Sequence, residues 1–451
     1  MRLKISGGRL YDPSCGLQGE VRDLFIEGGR IVPGLERVDQ VMEAAGRVVV
    51  AAGLDLRGQV ATYGLNFRRA GGGIPSPREL AETYAALGYT HVHEPFLTLV
   101  TANYVHCQLA ALPIVDTSAS LVLNLRDLDL WLRSPEQLPE VGETLRYLLE
   151  KTRALNFRVV EPFVRYRQGF YAHRSLAVEE TLEILAELAR SQKVTLTLEA
   201  SPEVLRAGLP QAELFHLSAL GPALVEDELT EAALRLLAQG ATGDMGLMDV
   251  SGPGPRAPGM EVDLGWFRLL NLTPTPDAAA ARRALNLALQ YDGDRLAFSG
   301  AGSFLAPVKD YPRLFAWLAS RTARRRDWRE EVGPGQYSLS QWVWATRTLP
   351  ARLLGLKDRG HLRPGARADV AIYDPASGDA PEQWRCRTLL KAGELVVDDY
   401  RLVNPEVARA TYYRPTAAAE TELLRELCQY RSLRPENLWV QPELRVEWQQ
   451  V

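Results

Sequence analysis

The chain has only four cysteines in 451 residues, Cys15, Cys107, Cys386 and Cys428, and no two stand at a paired spacing. That excludes a disulfide framework and a thiolate metal knuckle, so all four read as reduced thiols. No apolar run approaches the roughly 18 to 20 residues of a membrane span, and no transmembrane helix is expected. Neither sign of charge dominates: 52 Lys and Arg against 56 Asp and Glu leave a net charge of −4. With the signs interspersed, the surface offers no electrostatic footprint for nucleic acid. The one basic cluster, Arg321, Arg324, Arg325 and Arg326, reads as a solvated helix face. The opening MRLKISGGRLYDP lacks an apolar signal core and a small-residue cleavage site, which points to the cytoplasm. A Gly-x-Ser-x-Gly elbow, a phosphate loop and a dinucleotide fingerprint are missing too, and with them the common catalytic plans they serve.

What is present is a long alternation of apolar patterns. The first fifty residues read as short strands, LKISGGRLYDP, DLFIEGGRIV with a Gly-Gly turn, and RVVVAAGLDL, without a helix between them. From about residue 75 the spacing becomes helical in PRELAETYAALG and extended in YTHVHEPFL, and the two patterns then alternate. Helical VGETLRYLLEKTRAL and VEETLEILAELARS interleave with extended NFRVVEPFV, KVTLTLEA and ELFHLSAL. Such alternation specifies an α/β fold with a parallel sheet, and its length favours a closed (β/α)8 TIM-like barrel over residues 51–355. Near residue 360 the strands return in ARADVAIYDP and CRTLLKAGELVVDDYRLV. Two terminal β regions bury their apolar faces most simply against each other. A composite β-sandwich domain from residues 1–50 and 356–410 is therefore expected, followed by a helix-containing tail over 411–451. The GGG at Gly71–Gly73 and the GPGPRAPG around Gly252–Gly259 read as barrel loops.

IEGGRIV, VVVAAGLDL, GHLRPGARADVAIYD and KAGELVVDD together resemble the amidohydrolase superfamily. Within it, YDPSCGLQGEV, LGYTHVHE, LPIVDTSA, KDYPRLFAWLAS and ATYYRP are similar to the A-type subunit of formylmethanofuran dehydrogenase and of the related formyltransferase/hydrolase complex. The resemblance runs along the whole chain. It implies an amidohydrolase-type barrel and a place in one-carbon metabolism. The partners it implies are the other subunits of such a complex and a methanofuran- or pterin-type carrier. In that family the protein makes or hydrolyses an N-formyl bond at a binuclear zinc centre.

The residues that the resemblance aligns with that centre have the wrong chemistry for it. Metal-assisted hydrolysis needs neutral imidazoles and carboxylates around the cations. Where the family has His-x-His after Gly-x-Asp, this chain has Arg57 and Gln59 after Gly53-Leu54-Asp55. Where the family has a carboxylated lysine, Arg158 stands, and a guanidinium forms no carbamate and repels a cation. The strand KVTLTLEA offers Glu199 in place of a histidine, while His216 in ELFHLSAL is kept. The segment Leu296–Gly302 carries no carboxylate to serve as the base.

These substitutions point to a catalytically impaired subunit kept for assembly or ligand binding, with no catalytic residue and no cofactor. Arg57, Gln59, Glu94, His106, Arg158 and His216 are expected to line a net-positive barrel mouth. The two arginines suit a carboxylate, unless they are satisfied internally by Asp55 or Glu161. The enzyme alternative is an active metal-dependent formyl hydrolase with a rearranged site. It would hold zinc through His91 and His93, which alternation puts on one strand face, with Glu94, His106 or His216 as partners. His173 reads as a loop residue that can contact a ligand, and His361 as structural.

Overall fold

In a computed structural model the chain is described except at residues 63–74, 124–134, 161–176, 247–258, 264–267, 273–277, 292, 301–307, 329–334, 376–384, 431, 442–443 and 445. His173, Glu161, the Gly71–Gly73 loop and all but the last residue of the Gly252–Gly259 stretch lie outside the described residues.

Eight parallel strands form the central sheet: β1 (Gly53–Asp55), β2 (Tyr89–Leu97), β3 (Asp116–Leu123), β4 (Asn156–Val159), β5 (Leu196–Glu199), β6 (Phe215–Ser218), β7 (Thr242–Asp244) and β8 (Leu296–Ala297). Each pairs with the next in sequence order, and β7 reaches β8 across a long connection in which Gly259–Asp263 and Arg268–Leu272 form a separate hairpin. The ends of the sheet meet where the Gly300 N–H, just past β8, lies 3.3 Å from both oxygens of Asp55 at the end of β1. This is the TIM-like α/β architecture.

The covering helices are legible residue by residue. Pro77–Ala86 begins in a capping box, with Ser76 and Glu79 exchanging hydrogen bonds and Pro77 in the first turn; both devices satisfy or remove orphan N–H groups. Leu138–Lys151 buries Val141, Leu145, Leu148 and Leu149, and Val178–Gln192 buries Leu182, Leu185, Ala186 and Ala189. These are stripes of residues three and four apart, whose burial outweighs the exposed charged faces. Among the described residues no helix is long and apolar enough to cross a membrane.

The two chain ends build one nine-stranded sheet. Its seam is Val48–Ala51 running antiparallel to Val370–Tyr373, with Ala51 opposite Val370 and Val48 opposite Tyr373. Val49, Ala51, Val370 and Ile372 enter one apolar cluster with Leu3, Ile5 and Ile26. Val48, Val50, Ala371 and Tyr373 enter another with Ala85, Ile114 and Val343, which belong to the barrel layer. Burial on both faces explains the unbroken apolar run Val48–Ala51. Hydrogen bonds join all nine strands, and the cluster packs Leu3, Ile5 and Ile26 with Val370, Ile372 and Leu390, so both chain ends build one composite sheet domain.

The helix-containing segment 411–451 does not stand apart from the barrel: Thr411–Tyr413 pairs parallel to the first half of β3, and Trp448–Gln450 pairs with Thr411–Tyr413. The helix Glu422–Tyr430 buries Leu423, Leu424, Leu427 and Cys428 in the main core. Arg324 is not on a solvated face either. It is buried, and its guanidinium donates to Trp317 O (2.7 Å), Leu318 O (3.0 Å) and Gly335 O (2.7 Å). It thus closes the C-terminal end of the helix Tyr311–Ala319, where orphan carbonyls favour a cation.

Candidate ligand site in the barrel interior

Alternation along the short strands sends every second side chain inward. Asn156 and Arg158 from β4, Thr197 from β5, His216 and Ser218 from β6, and Asp244 from β7 line one cavity together with His93 and Ser120. The cavity measures about 20 Å³, space for about one water.

Arg57, just past β1, is buried and its Nη2 lies 3.6 Å from Glu199 Oε1. Its Nε and Nη1 are buried without a hydrogen bond among the described residues. Arg57 and Arg158 approach the same ring, 5.9 and 5.2 Å from the centroid of Phe96. The structure therefore unites Arg57, Arg158 and His216 from three distant stretches of sequence.

The expected net-positive mouth is corrected by acids. Besides Glu199, Asp244 is buried within electrostatic reach of both arginines. Its carboxylate accepts from Ser299 Oγ at 2.6 Å and from Gly246 N at 2.9 Å. Burial raises its pKa, while those hydrogen bonds and the arginines pull it back. Asp244 escaped the sequence reading because the carboxylate was sought after β8. It ends β7, and its only signal is the Thr-Gly-Asp that closes an extended segment. Asp55 does not pair with the Arg57 guanidinium; it accepts the Arg57 backbone N–H at 2.9 Å and the Tyr84 hydroxyl at 2.8 Å. Burial pushes its pKa up to about 6.

Glu94 faces away from the cavity. It accepts from Ala61 N (2.7 Å), Thr62 Oγ1 (2.7 Å) and Phe96 N (3.1 Å), and so clasps the stretch after β1 that carries Arg57 and Gln59. Gln59 is buried there with φ of 45°, a left-handed conformation rare for a side-chain-bearing residue. His106 is not part of the site. It sits on the helix Ala102–Ala110, bonded through Nε2 to Thr152 O at 2.9 Å and edge-on to Trp448. Its place on a helix outside the sheet removes it from the interior. His361 is bonded to Lys357 O at 2.9 Å, in keeping with a structural role.

The fit to a metal can be judged from the donors. His91 and His93 do share a face, but both turn to Ser118 Oγ, at 2.9 and 2.7 Å, and the second nitrogen of His93 meets Ser120 Oγ at 2.6 Å. His216 spends Nδ1 on Thr242 Oγ1 at 3.0 Å. Burial, then the Arg158 charge, push His93 and His216 down to about 3, so both imidazoles are neutral. Arg158 nevertheless stands among them, and a guanidinium in that position opposes a cation. Among the described residues no three His, Cys, Asp or Glu side chains converge as a metal site. The described interior residues do not supply the ligand set of a binuclear zinc centre.

The chain's strand order, composite sheet and interior pocket define an amidohydrolase-type barrel. Residues 280–397 match the Amidohydrolase family. The A-type subunit of the formyltransferase/hydrolase complex Fhc of Methylorubrum extorquens is 26% identical over 89% of both chains. FwdA of Methanocaldococcus jannaschii is 23% identical over 99% of this chain and 98% of its own. In structure, the chain is similar to the formyltransferase/hydrolase complex FhcABCD of Methylorubrum extorquens solved with methylofuran, with a TM-score of 0.84, 22% identity and coverage of 100% and 99%. A D-hydantoinase gives 0.54 at 14% identity over 91% and 98%. Along most of its length the chain is thus similar to both of these A-type subunits, and it shares the amidohydrolase-type fold.

Proposed function

We propose that this protein is a non-hydrolytic A-type subunit of a cytoplasmic formyltransferase/hydrolase-like complex, and that its barrel binds the carboxylate-bearing end of a one-carbon carrier. The relatives' complex and its methylofuran supply the partner class. The observation that carries the reading is the pair Arg57 and Arg158 converging on Phe96, where hydrolysis at a binuclear centre needs imidazoles and a bridging carbamate. Buried guanidinium N–H groups left unspent, as on Arg57, recognise a carboxylate. Neutral His93 and His216, and the hydroxyls of Thr197 and Ser218, add hydrogen-bonding capacity without charge. A barrel can lose a reaction and keep its surfaces, because site and fold are separable.

The alternative of a zinc hydrolase rebuilt on His91 and His93 gains no support from their serine partners. Elemental analysis of protein purified without chelator tests the reading. Well under one zinc per chain is expected; about two, as in binuclear hydrolases, overturns it.

A further inference from the structure

Arg347 lies in a turn of π-helix, Trp344–Thr348, and is only 2% exposed. A buried guanidinium ordinarily faces a carboxylate, because an uncompensated charge in a low dielectric is costly. Arg347 has none among the described residues. Its Nη1 donates to Thr346 Oγ1, its Nη2 to Tyr373 Oη at 3.0 Å, and its guanidinium lies 5.3 Å from the centre of the Tyr89 ring. Its Nε is buried without a hydrogen bond among the described residues. The groups around it cannot serve as counter-ions. Burial pushes the Tyr89 hydroxyl and the Cys386 thiol up to about 12 and that of Tyr373 higher still, so all three are neutral.

Arg347 also borders a cavity of about 20 Å³, walled by Leu87, Tyr89, Tyr311, Phe315, Trp342 and Tyr373, with Pro312 completing it. None of these is acidic. Tyr311 and Pro312 open the nine-residue helix Tyr311–Ala319, directly after the 3-10 turn Val308–Asp310. Arg347 is thus the cationic side chain at a space with room for one water-sized particle.

We propose that this cavity is a site for a small monovalent inorganic anion of the halide class, held by Arg347 beside the first turn of the helix Tyr311–Ala319. A water could accept from Nε but would leave the buried charge unbalanced. Sulfate and phosphate exceed the space and bring a second charge with no cation to meet it. The anion would join that helix, the π-turn and the first residue of β2 around one centre. This site is separate from the barrel interior and does not depend on the function proposed for it.

The test uses the full chain. Its melting temperature is followed as chloride replaces gluconate at constant ionic strength, in the parent and in Arg347→Gln. Selective binding to the folded state raises it with the logarithm of ligand concentration above the dissociation constant, so the parent's temperature should climb with chloride while the variant's stays level. Equal responses overturn the proposal. Should Arg347→Gln fail to fold, anomalous scattering from bromide-soaked parent crystals decides. A peak in contact with Arg347 together with halide-dependent parent stability supports the site. An empty or water-filled cavity overturns it, and so does a peak without halide-dependent stability, which marks an adventitious ion only.

Discussion

Lys391 Nζ lies 2.7 Å from Asp116 Oδ1, and neither side chain is exposed. Lys391 ends a strand of the composite sheet and Asp116 begins β3, so this pair ties the two halves of the molecule at the base of the barrel. Arg359 also bonds Asp116 and lies 3.2 Å from Asp369, while Arg367 lies 3.4 Å from Asp116. Lys391 further donates to Ile114 O and Ala408 O. Three cations and two carboxylates are thereby gathered in one place, Lys391, Arg359 and Asp116 being buried and Arg367 partly exposed. Breaking such a set by removing one member is far more costly than its net contribution.

Asp116→Asn should accordingly lower the unfolding free energy by about 3–5 kcal/mol, because it leaves buried cations without their counter-charge. Denaturant titration measures this; a loss below about 1 kcal/mol, the range of exposed pairs, would falsify the account. Burial opposes ionisation of Asp116, but Arg359, Lys391 and Arg367 outweigh it and hold the carboxyl below its ordinary 3.8. Its contribution is therefore complete above about pH 4 and is lost as the pH falls below that value towards the depressed folded pKa.

Asp55 gives the opposite slope in a neighbouring window. Its pKa rises from 3.8 to about 6 in the fold, chiefly through burial. The folded state thus holds a proton that the unfolded chain has released. Stability from this group is complete below about pH 4 and falls as pH rises through about 6, by about 3 kcal/mol at 1.36 kcal/mol per unit. Asp55→Asn should flatten the stability profile between those values. An unchanged slope in the variant would show that another group titrates there.

Calorimetry with a glutamyl-bearing one-carbon carrier should show binding to the parent that weakens at least about tenfold in Arg57→Ala, the loss of a charged hydrogen bond worth about 1.5–3 kcal/mol. Equal affinity in both proteins, or none in either, removes the ligand role and leaves only that of a scaffold.

Glu94→Gln should speed amide exchange at Ala61, whose N–H it accepts at 2.7 Å, because a neutral amide accepts more weakly than a carboxylate. Hydrogen exchange read by mass spectrometry over residues 56–62 is the measurement. Undisturbed protection there would mean that the stretch bearing Arg57 is held by other contacts.

Much of this molecule is local and was legible without coordinates. Helical stripes such as Val141, Leu145 and Leu148, the Gly28-Gly29 turn and the unbroken Val48–Ala51 run each report their own secondary structure through periodicity and burial. That the guanidiniums of Arg57 and Arg158 cannot stand in for imidazole or carboxylate metal ligands is likewise a property of residue chemistry, true in any conformation. Tertiary structure alone decided which charges meet. Asp244 joins the arginines because β7 and β4 are brought together around a curled sheet, not in sequence. Glu94 leaves the site because one step along a strand reverses its face. His106 is carried away on a helix, Arg324 turns inward onto carbonyls that its own sequence does not display, and residues 411–413 add to β3 from almost 300 positions away. Periodicity depends on the nearest few residues and survives in one dimension. Electrostatic balance and hydrogen-bond satisfaction depend on distance in three, and only the closed fold sets those distances.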